Sequence, residues 1–254
     1  MRSTLNAFRI GSVPYLNAVP LTHSLGAGVT YLPPSELARQ LHGGHLDAAL
    51  LSVTEVMGRP EYTVLDGAGI CSDGPVYSVI LAHQDPLSSL GEIHLDPASC
   101  TSVNLLRVLL AQRGPVPAFR TLDTTAHAGA HRNVLLIGNP AIEFRRRPHT
   151  HQIWDLGAAW QEQTGLPFVY AVWALRRDQP PALADRLRAS QSAGLAALPE
   201  IVAQRPEYDA AFRQAYLGGY IRYHLSAREK AGLQEFGQRL LHHAGRTSVD
   251  LEFV

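Results

Sequence analysis

The chain has 254 residues, is 46% hydrophobic and only 17% charged, and sets 22 basic against 22 acidic residues for a formal net charge of zero. That is enough apolar material for one sizeable core or for two lobes with a core each. The neutral balance argues against a general nucleic-acid-binding surface. Two isolated cysteines, Cys71 and Cys100, argue against a disulfide scaffold or a thiolate zinc site.

No apolar run approaches membrane-spanning length. The opening residues, MRSTLNAFRIGS, lack a hydrophobic segment and a small-residue cleavage site, so no export signal is read and a cytoplasmic location is expected. Lys230 is the lone lysine, which restricts any Schiff-base chemistry to that position.

Arg9 to Val13 carries the β-branched Ile10 and Val13 and reads as a first strand, ended by Pro14, with Ser12, Tyr15 and Asn17 crowded into the turn beyond it. The crevice outside strand carboxyl ends is the ordinary ligand site of an α/β sheet, which makes that turn a pocket wall. Val19 to Gly28 is a short helix or a loop, and Val29 to Leu32 is a second strand stopped by Pro33-Pro34. Ser35 is expected to cap a helix with Leu37, Ala38 and Leu41 on one face, ended by Gly43-Gly44. Leu46 to Ser52 is a buried strand with Thr54 and Glu55 just after it. Tyr62 to Leu65 is a weak strand, Gly67 to Pro75 (GAGICSDGP) a glycine-rich loop, and Val76 to His83 a strong strand with Ser78 on one face. The chain is expected to pass between lobes near His83 to Gly91.

Glu92 to Leu95 opens the second lobe. The turn Asp96 to Ser102 crowds small polar residues before a helix over Val103 to Ala111. Ser99, Thr101 and Ser102 therefore stand at a helix N-terminus, where free N–H groups and the helix dipole favour a carboxylate or phosphate. Pro117 to Leu122 and Asn133 to Ile137 are strands, and Asn139 as N-cap with Pro140 at the first helical position opens a helix ending in Arg145 to Arg147, read as a solvated face. Asp155 caps a helix that Gly165 closes, and Phe168 to Leu175 is a long apolar strand of the kind that crosses back to the first lobe. Beyond it the chain is helical, with Leu183 and Leu187 on one face and a capping box, Ser226 to Glu229, ahead of Leu233, Phe236, Leu240 and Leu241. Tyr216, Tyr220, Ile221 and Tyr223 read as helix packing. The expected layout is α/β in two lobes, the second inserted into the first: 1–87 and 175–254 against 88–174, with a ligand cleft between them.

The functional candidates are small polar groups at strand ends: Ser12, Tyr15 and Asn17, then Ser52, then Ser72 to Val76 with Asp73, Gly74 and Pro75, then Ser78, then Ser99, Thr101 and Ser102, and finally Asn139. Converging on one cleft, they would make a wall of hydroxyls, amides and backbone N–H groups with few charges, suited to a small carboxylated molecule. The same residue types also serve ordinary turns and caps. Asp73 is the one acid of its loop and reads equally as a general base or a turn former. His149-Thr-His151 and His242-His243 lack the companion ligands of a metal site, and no GxGxxG, Walker A or GxSxG motif occurs, so neither a metal nor a nucleotide cofactor is expected.

Six segments, SVPYLNAVPL (Ser12 to Leu21), SDGPVYSV (Ser72 to Val79), ASCTSVNLLRVLL (Ala98 to Leu110), LLIGNPAIEF (Leu135 to Phe144), DLGAAWQEQTGLPFVYAVWAL (Asp155 to Leu175) and YLGGYIRYHLS (Tyr216 to Ser226), resemble one family in order over nearly the whole chain. That family is MqnA, the chorismate dehydratases of the futalosine route to menaquinone. The resemblance implies the two-lobed fold of type II periplasmic binding proteins, no cofactor, and a lyase that takes the dicarboxylate chorismate to 3-[(1-carboxyvinyl)oxy]benzoate and water. It places the family's catalytic Asn and Ser on Asn17 and Ser78, and its Thr-Ser segment on Thr101-Ser102. Cys100 stands where the family usually has Arg, which bears on a positive contact to a carboxylate, and Asn139 stands where it usually has Asp, which changes the charge of the cleft. Two other readings stay open: a small-anion-binding protein of the same fold, and the sibling enzyme that makes 1,4-dihydroxy-6-naphthoate. The sequence also leaves open a monomer or a homodimer.

Overall fold

The computed structural model describes residues 8–111, 113–114, 116–244 and 250–254; residues 1–7, part of the stretch read for an export signal, lie outside them. The strands in chain order are β1 (Ile10–Ser12), β2 (Val29–Tyr31), β3 (Ala48–Ser52), β4 (Tyr62–Ser72), β5 (Val79–His83), β6 (Glu92–Leu95), β7 (Ala118–Thr121), β8 (Asn133–Ile137), β9 (Gln152–Asp155) and β10 (Phe168–Arg176). The helices are α1 (Val19–Thr22), α2 (Pro34–His42), α3 (Val53–Val56), α4 (Thr101–Leu110), α5 (Gly138–Arg146), α6 (Leu156–Thr164), α7 (Pro181–Ala196), α8 (Leu198–Gln204), α9 (Ala210–Ala215) and α10 (Ala227–Ala244), with a π-helical turn, Tyr216–Tyr220, directly after α9.

Two five-stranded sheets result, in the orders β2-β1-β3-β10-β4 and β7-β6-β8-β5-β9. In the first, β1 is parallel to β2 and β3, and β10 runs antiparallel between β3 and β4. In the second, β6 is parallel to β7 and β8, and β5 is antiparallel to β8 and β9. The period of two along β5 and β8 divides the second lobe's apolar residues. Leu81 and Leu135 join the main core, while Ile80, Ala82, Val134 and Leu136 form a smaller one with Leu122, Ala128 and Ala141.

Several local expectations hold to within a residue or two, and the departures have physical reasons. The GAGICS stretch is strand rather than loop: β4 runs on to Ser72, paired to β10 with register shifts at Val169/Ala171 and Val172/Ala174. Glycines here mark the irregular stretch between Val64 and Gly69, where the pairing to β10 is interrupted before it resumes. Val79–His83 is central in the second sheet, so the chain leaves the first sheet after Ser72 and not near His83 to Gly91. β10 lies wholly in the first sheet, so the return runs through α6 before Phe168. Ser35 caps nothing, because α2 begins at Pro34 behind Pro33. α5 begins at Gly138, in the left-handed region at φ +57, which puts Asn139 and Pro140 inside its first turn instead of at the cap.

One close approach fixes the position of the chain that follows β1. A Cβ on Gly194, in α7, would lie 1.8 Å from the Pro20 carbonyl oxygen of α1. Glycine to alanine inside a helix ordinarily gains up to about 1 kcal/mol, but a clash with a rigid backbone of this kind costs about 1–3 kcal/mol, so the clash wins. With a net cost of up to about 2 kcal/mol, Gly194→Ala is expected to lower the thermal midpoint by up to about 8 °C, read by a circular dichroism melt. Because Pro20 follows Asn17 closely, turnover should fall as well.

Candidate active site

The cleft between the sheets spans about 660 Å3, its open mouth included. Topology decides which chain ends meet there. β1 and β3 are parallel neighbours, so the turn after β1 and the junction of β3 with α3 lie at one end of the first sheet. β6 and β8 are likewise parallel and bring the N-termini of α4 and α5 to one end of the second. β5 is antiparallel to β8 with Val79 opposite Ile137, so Ser78 arrives at that same end. Of the residues expected to contact substrate, Tyr15, Asn17, Ser52, Val76, Ser78, Thr101 and Ser102 line the cleft.

Asn17 sits in a single 3-10 turn, Leu16–Ala18, and its Oδ1 is buried without a hydrogen-bond partner. Ser78 is buried and fixed at both ends: its carbonyl accepts from the Gly138 N–H at 2.8 Å, and its Oγ accepts from the Tyr216 hydroxyl at 2.7 Å. Tyr216 is therefore more than the packing residue its sequence neighbourhood suggests. Burial pushes the Tyr216 hydroxyl pKa far above the usual tyrosine value. The Tyr15 ring lies over Gly138, within 3.4 Å of where a Cβ would stand. Burial, and then the neighbouring Asp96 carboxylate, push the Tyr15 hydroxyl up to about 12.

Asp96, read from sequence only as the start of a turn, is buried and accepts from the N–H groups of Ala98 at 2.9 Å and Ile137 at 3.2 Å. It thereby ties together the two segments that lead into α4 and α5. Burial pushes its carboxyl pKa up.

At the floor of the cleft Ser52 Oγ and Thr101 Oγ1 hydrogen-bond each other. The Thr101 N–H donates to Ser52 Oγ at 3.1 Å, and the Thr54 N–H donates to Thr101 Oγ1 at 3.3 Å. Ser52 and Thr101 thus join the two lobes and take up the first N–H of α4, and the N-cap residues of α4 and α5, Cys100 and Ile137, make no side-chain capping bond. The Cys100 thiol donates to Glu55 Oε1 at 2.8 Å, and burial, followed by that carboxylate, pushes its pKa up. No Arg, Lys or His is among the described residues lining the cleft, so the position held by Cys100 supplies no positive contact.

The remaining candidates stand elsewhere. Asp73 accepts from Gln161 Nε2 at 2.9 Å and pairs with Arg228 at 3.0 Å and Arg222 at 3.5 Å, outside the cleft lining. Because β4 continues to Ser72, its alternation turns the next side chain away from the cleft. Gly74 and exposed Pro75 pass over the same outer corner and line nothing. Ser12, Ser99 and Asn139 are not among the lining residues; Ser12 Oγ, Ser99 Oγ and Asn139 Oδ1 are buried without partners.

Between these groups stands a residue that sequence reading saw only as a helix cap. Asp155 does cap α6, accepting from Gly157 N at 3.1 Å and Ala158 N at 3.2 Å. It also accepts from Val76 N at 3.0 Å and Tyr77 N at 2.8 Å, and so clamps together the outgoing and returning passages between the lobes. Tyr77 is held in the left-handed region at φ +68. Arg145 covers it, with its guanidinium 3.9 Å from the ring centroid and 3.3 Å from Asp155 Oδ2, so this arginine is a latch and not a solvated residue.

A family model described as menaquinone biosynthesis matches residues 8–242. A chorismate dehydratase of Thermus thermophilus is 33% identical over 261 residues, covering 93% of this chain and 96% of that protein. One of Campylobacter jejuni is 29% identical over 228 residues, covering 87% and 88%. Among solved structures, an Archaeoglobus fulgidus protein superposes with a TM-score of 0.76 at 17% identity, covering 95% of this chain and all of that one. The Escherichia coli periplasmic aliphatic sulphonate binding protein superposes at 0.65 and 15% identity, covering 96% and 90%. The chain belongs to the menaquinone-biosynthesis family, is homologous to the chorismate dehydratases of the futalosine pathway, and has the two-lobed fold of type II periplasmic binding proteins.

Proposed function

We propose that this chain is itself a chorismate dehydratase, converting chorismate to 3-[(1-carboxyvinyl)oxy]benzoate and water. The observation that carries the reading is that Asn17 and Ser78, from different lobes, line one cleft free of charged side chains among its described lining residues, beside the N-terminus of α4. The homology supplies the substrate; the chemistry of the lining supports it.

The reaction removes the C3 proton and the C4 hydroxyl of the ring. The C3–H electron pair becomes the new C3–C4 π bond, the C4–O bond breaks, and the ring becomes aromatic. No Asp, Glu or His lines the cleft among the described residues to serve as the base. The enolpyruvyl carboxylate, tethered at C3, takes that proton once its rotamer is held, an orientation effect. The α4 N-terminus, where Ser52 holds Thr101 in place and Ser102 lines the cleft, grips one carboxylate through its remaining N–H groups and the helix dipole. Ser78 orients the other. Asn17 donates an amide hydrogen bond to the departing C4 oxygen, which leaves as hydroxide and becomes water by taking the C3 proton back from the enolpyruvyl carboxylate.

The test is purified protein with chorismate, without added metal or nucleotide, followed by chromatography and mass spectrometry. Product with the mass of chorismate less one water is expected. Chorismate that binds tightly and returns intact would overturn the reading in favour of a small-anion-binding protein.

A further inference from the structure

We infer that Tyr216 is a positioning residue whose buried hydroxyl sets the direction in which Ser78 donates its proton to the substrate. This role rests on the dehydratase reading of the site. A serine hydroxyl rotates freely unless its neighbours choose for it. Here the Tyr216 hydroxyl donates to Ser78 Oγ at 2.7 Å, which fills one acceptor side of that oxygen. Ser78 cannot donate back along the same line, so its proton turns toward the cleft that its side chain lines. Such a chain polarises each member in turn.

Packing alone does not account for this tyrosine. It is fully buried, and a phenylalanine would fill the same space without a polar group to desolvate. Tyr223, equally buried seven positions along, leaves its hydroxyl without a partner, so the Tyr216 contact is not a general habit of the segment. The backbone also departs from α-helix at this point: Tyr216 opens a π-helical turn, a geometry that recurs at functional sites. Its ring is held by Phe212, stacked at 5.5 Å between centroids with planes 9° apart. A ring fixed in this way holds its hydroxyl in place.

The experiment is steady-state kinetics on chorismate with Tyr216→Phe, Ser78→Ala and the double variant. Tyr216→Phe is expected to fold, to keep KM within about two-fold, and to lower kcat by about 10- to 100-fold. In the Ser78→Ala background the same change is expected to cost less than about three-fold, because no hydroxyl remains to be oriented. Incorporation of 3-fluorotyrosine at position 216, which keeps ring and hydroxyl, is expected to restore kcat. Unchanged kcat in Tyr216→Phe, or penalties that multiply in the double variant, would overturn the role. So would a Tyr216→Phe protein that does not fold, since the ring is held to carry the packing. An unsubstituted protein inactive on chorismate overturns the reading of the site itself and this role with it, and is told apart by that control.

Discussion

Asn17→Ala is expected to lower kcat on chorismate by about 10²- to 10³-fold, the usual cost of removing one donor aimed at charge that develops in a transition state. The C4 oxygen carries little charge in bound chorismate and gains it only as the C–O bond breaks, so the loss should fall on kcat and leave KM within a few-fold. Stability should change little. The alanine variant removes an Oδ1 that is already buried without a partner, and losing an unsatisfied polar atom from a buried site is close to neutral. Steady-state kinetics beside a thermal melt separate the two effects. An Asn17→Ala protein as active as the unchanged one would remove Asn17 from the mechanism.

Asp155→Ala is expected to be the most destabilising single change at the site. It strips a helix cap, two backbone N–H groups of the outgoing passage and the carboxylate facing Arg145. The carboxylate is only 13% exposed, so its partners are left largely without water to replace it. Removing one partner of such a buried network costs about 3–5 kcal/mol. For a chain of this size that lowers the melting midpoint by about 6–20 °C. Activity should fall with it: Tyr77, in its left-handed conformation, immediately precedes Ser78, and without the clamp the serine loses its fixed approach to the cleft. A scanning calorimetry midpoint equal to that of the unchanged protein would show that Asp155 acts as no more than a surface cap.

Much of the architecture is legible residue by residue. Asp155 and Gly165 bound α6 as a capping acid and a left-handed glycine should. Ser226 and Glu229 cap α10 together, with the Ser226 N–H donating to Glu229 Oε2 at 3.0 Å and the Arg228 N–H to Ser226 Oγ at 3.2 Å. β6 and β8 stand where their apolar patterns predict. Each of these signals is complete within one turn or one strand, so nothing distant is needed to interpret it.

The sequence by itself therefore determined the α/β class, most of the elements, and the polar strand ends that gather at the cleft. The tertiary structure alone decided which sheet each strand joins, which strand ends face the cleft, and which side chains hold others in place. Asp73 faces outward, where two arginines far along the chain pair with it. Tyr216 reached Ser78 across 138 positions, and Asp155 reached Val76 across 79. A hydroxyl or carboxylate can meet its partner at any sequence separation once the chain is folded, whereas periodicity and capping report only on residues a few positions apart.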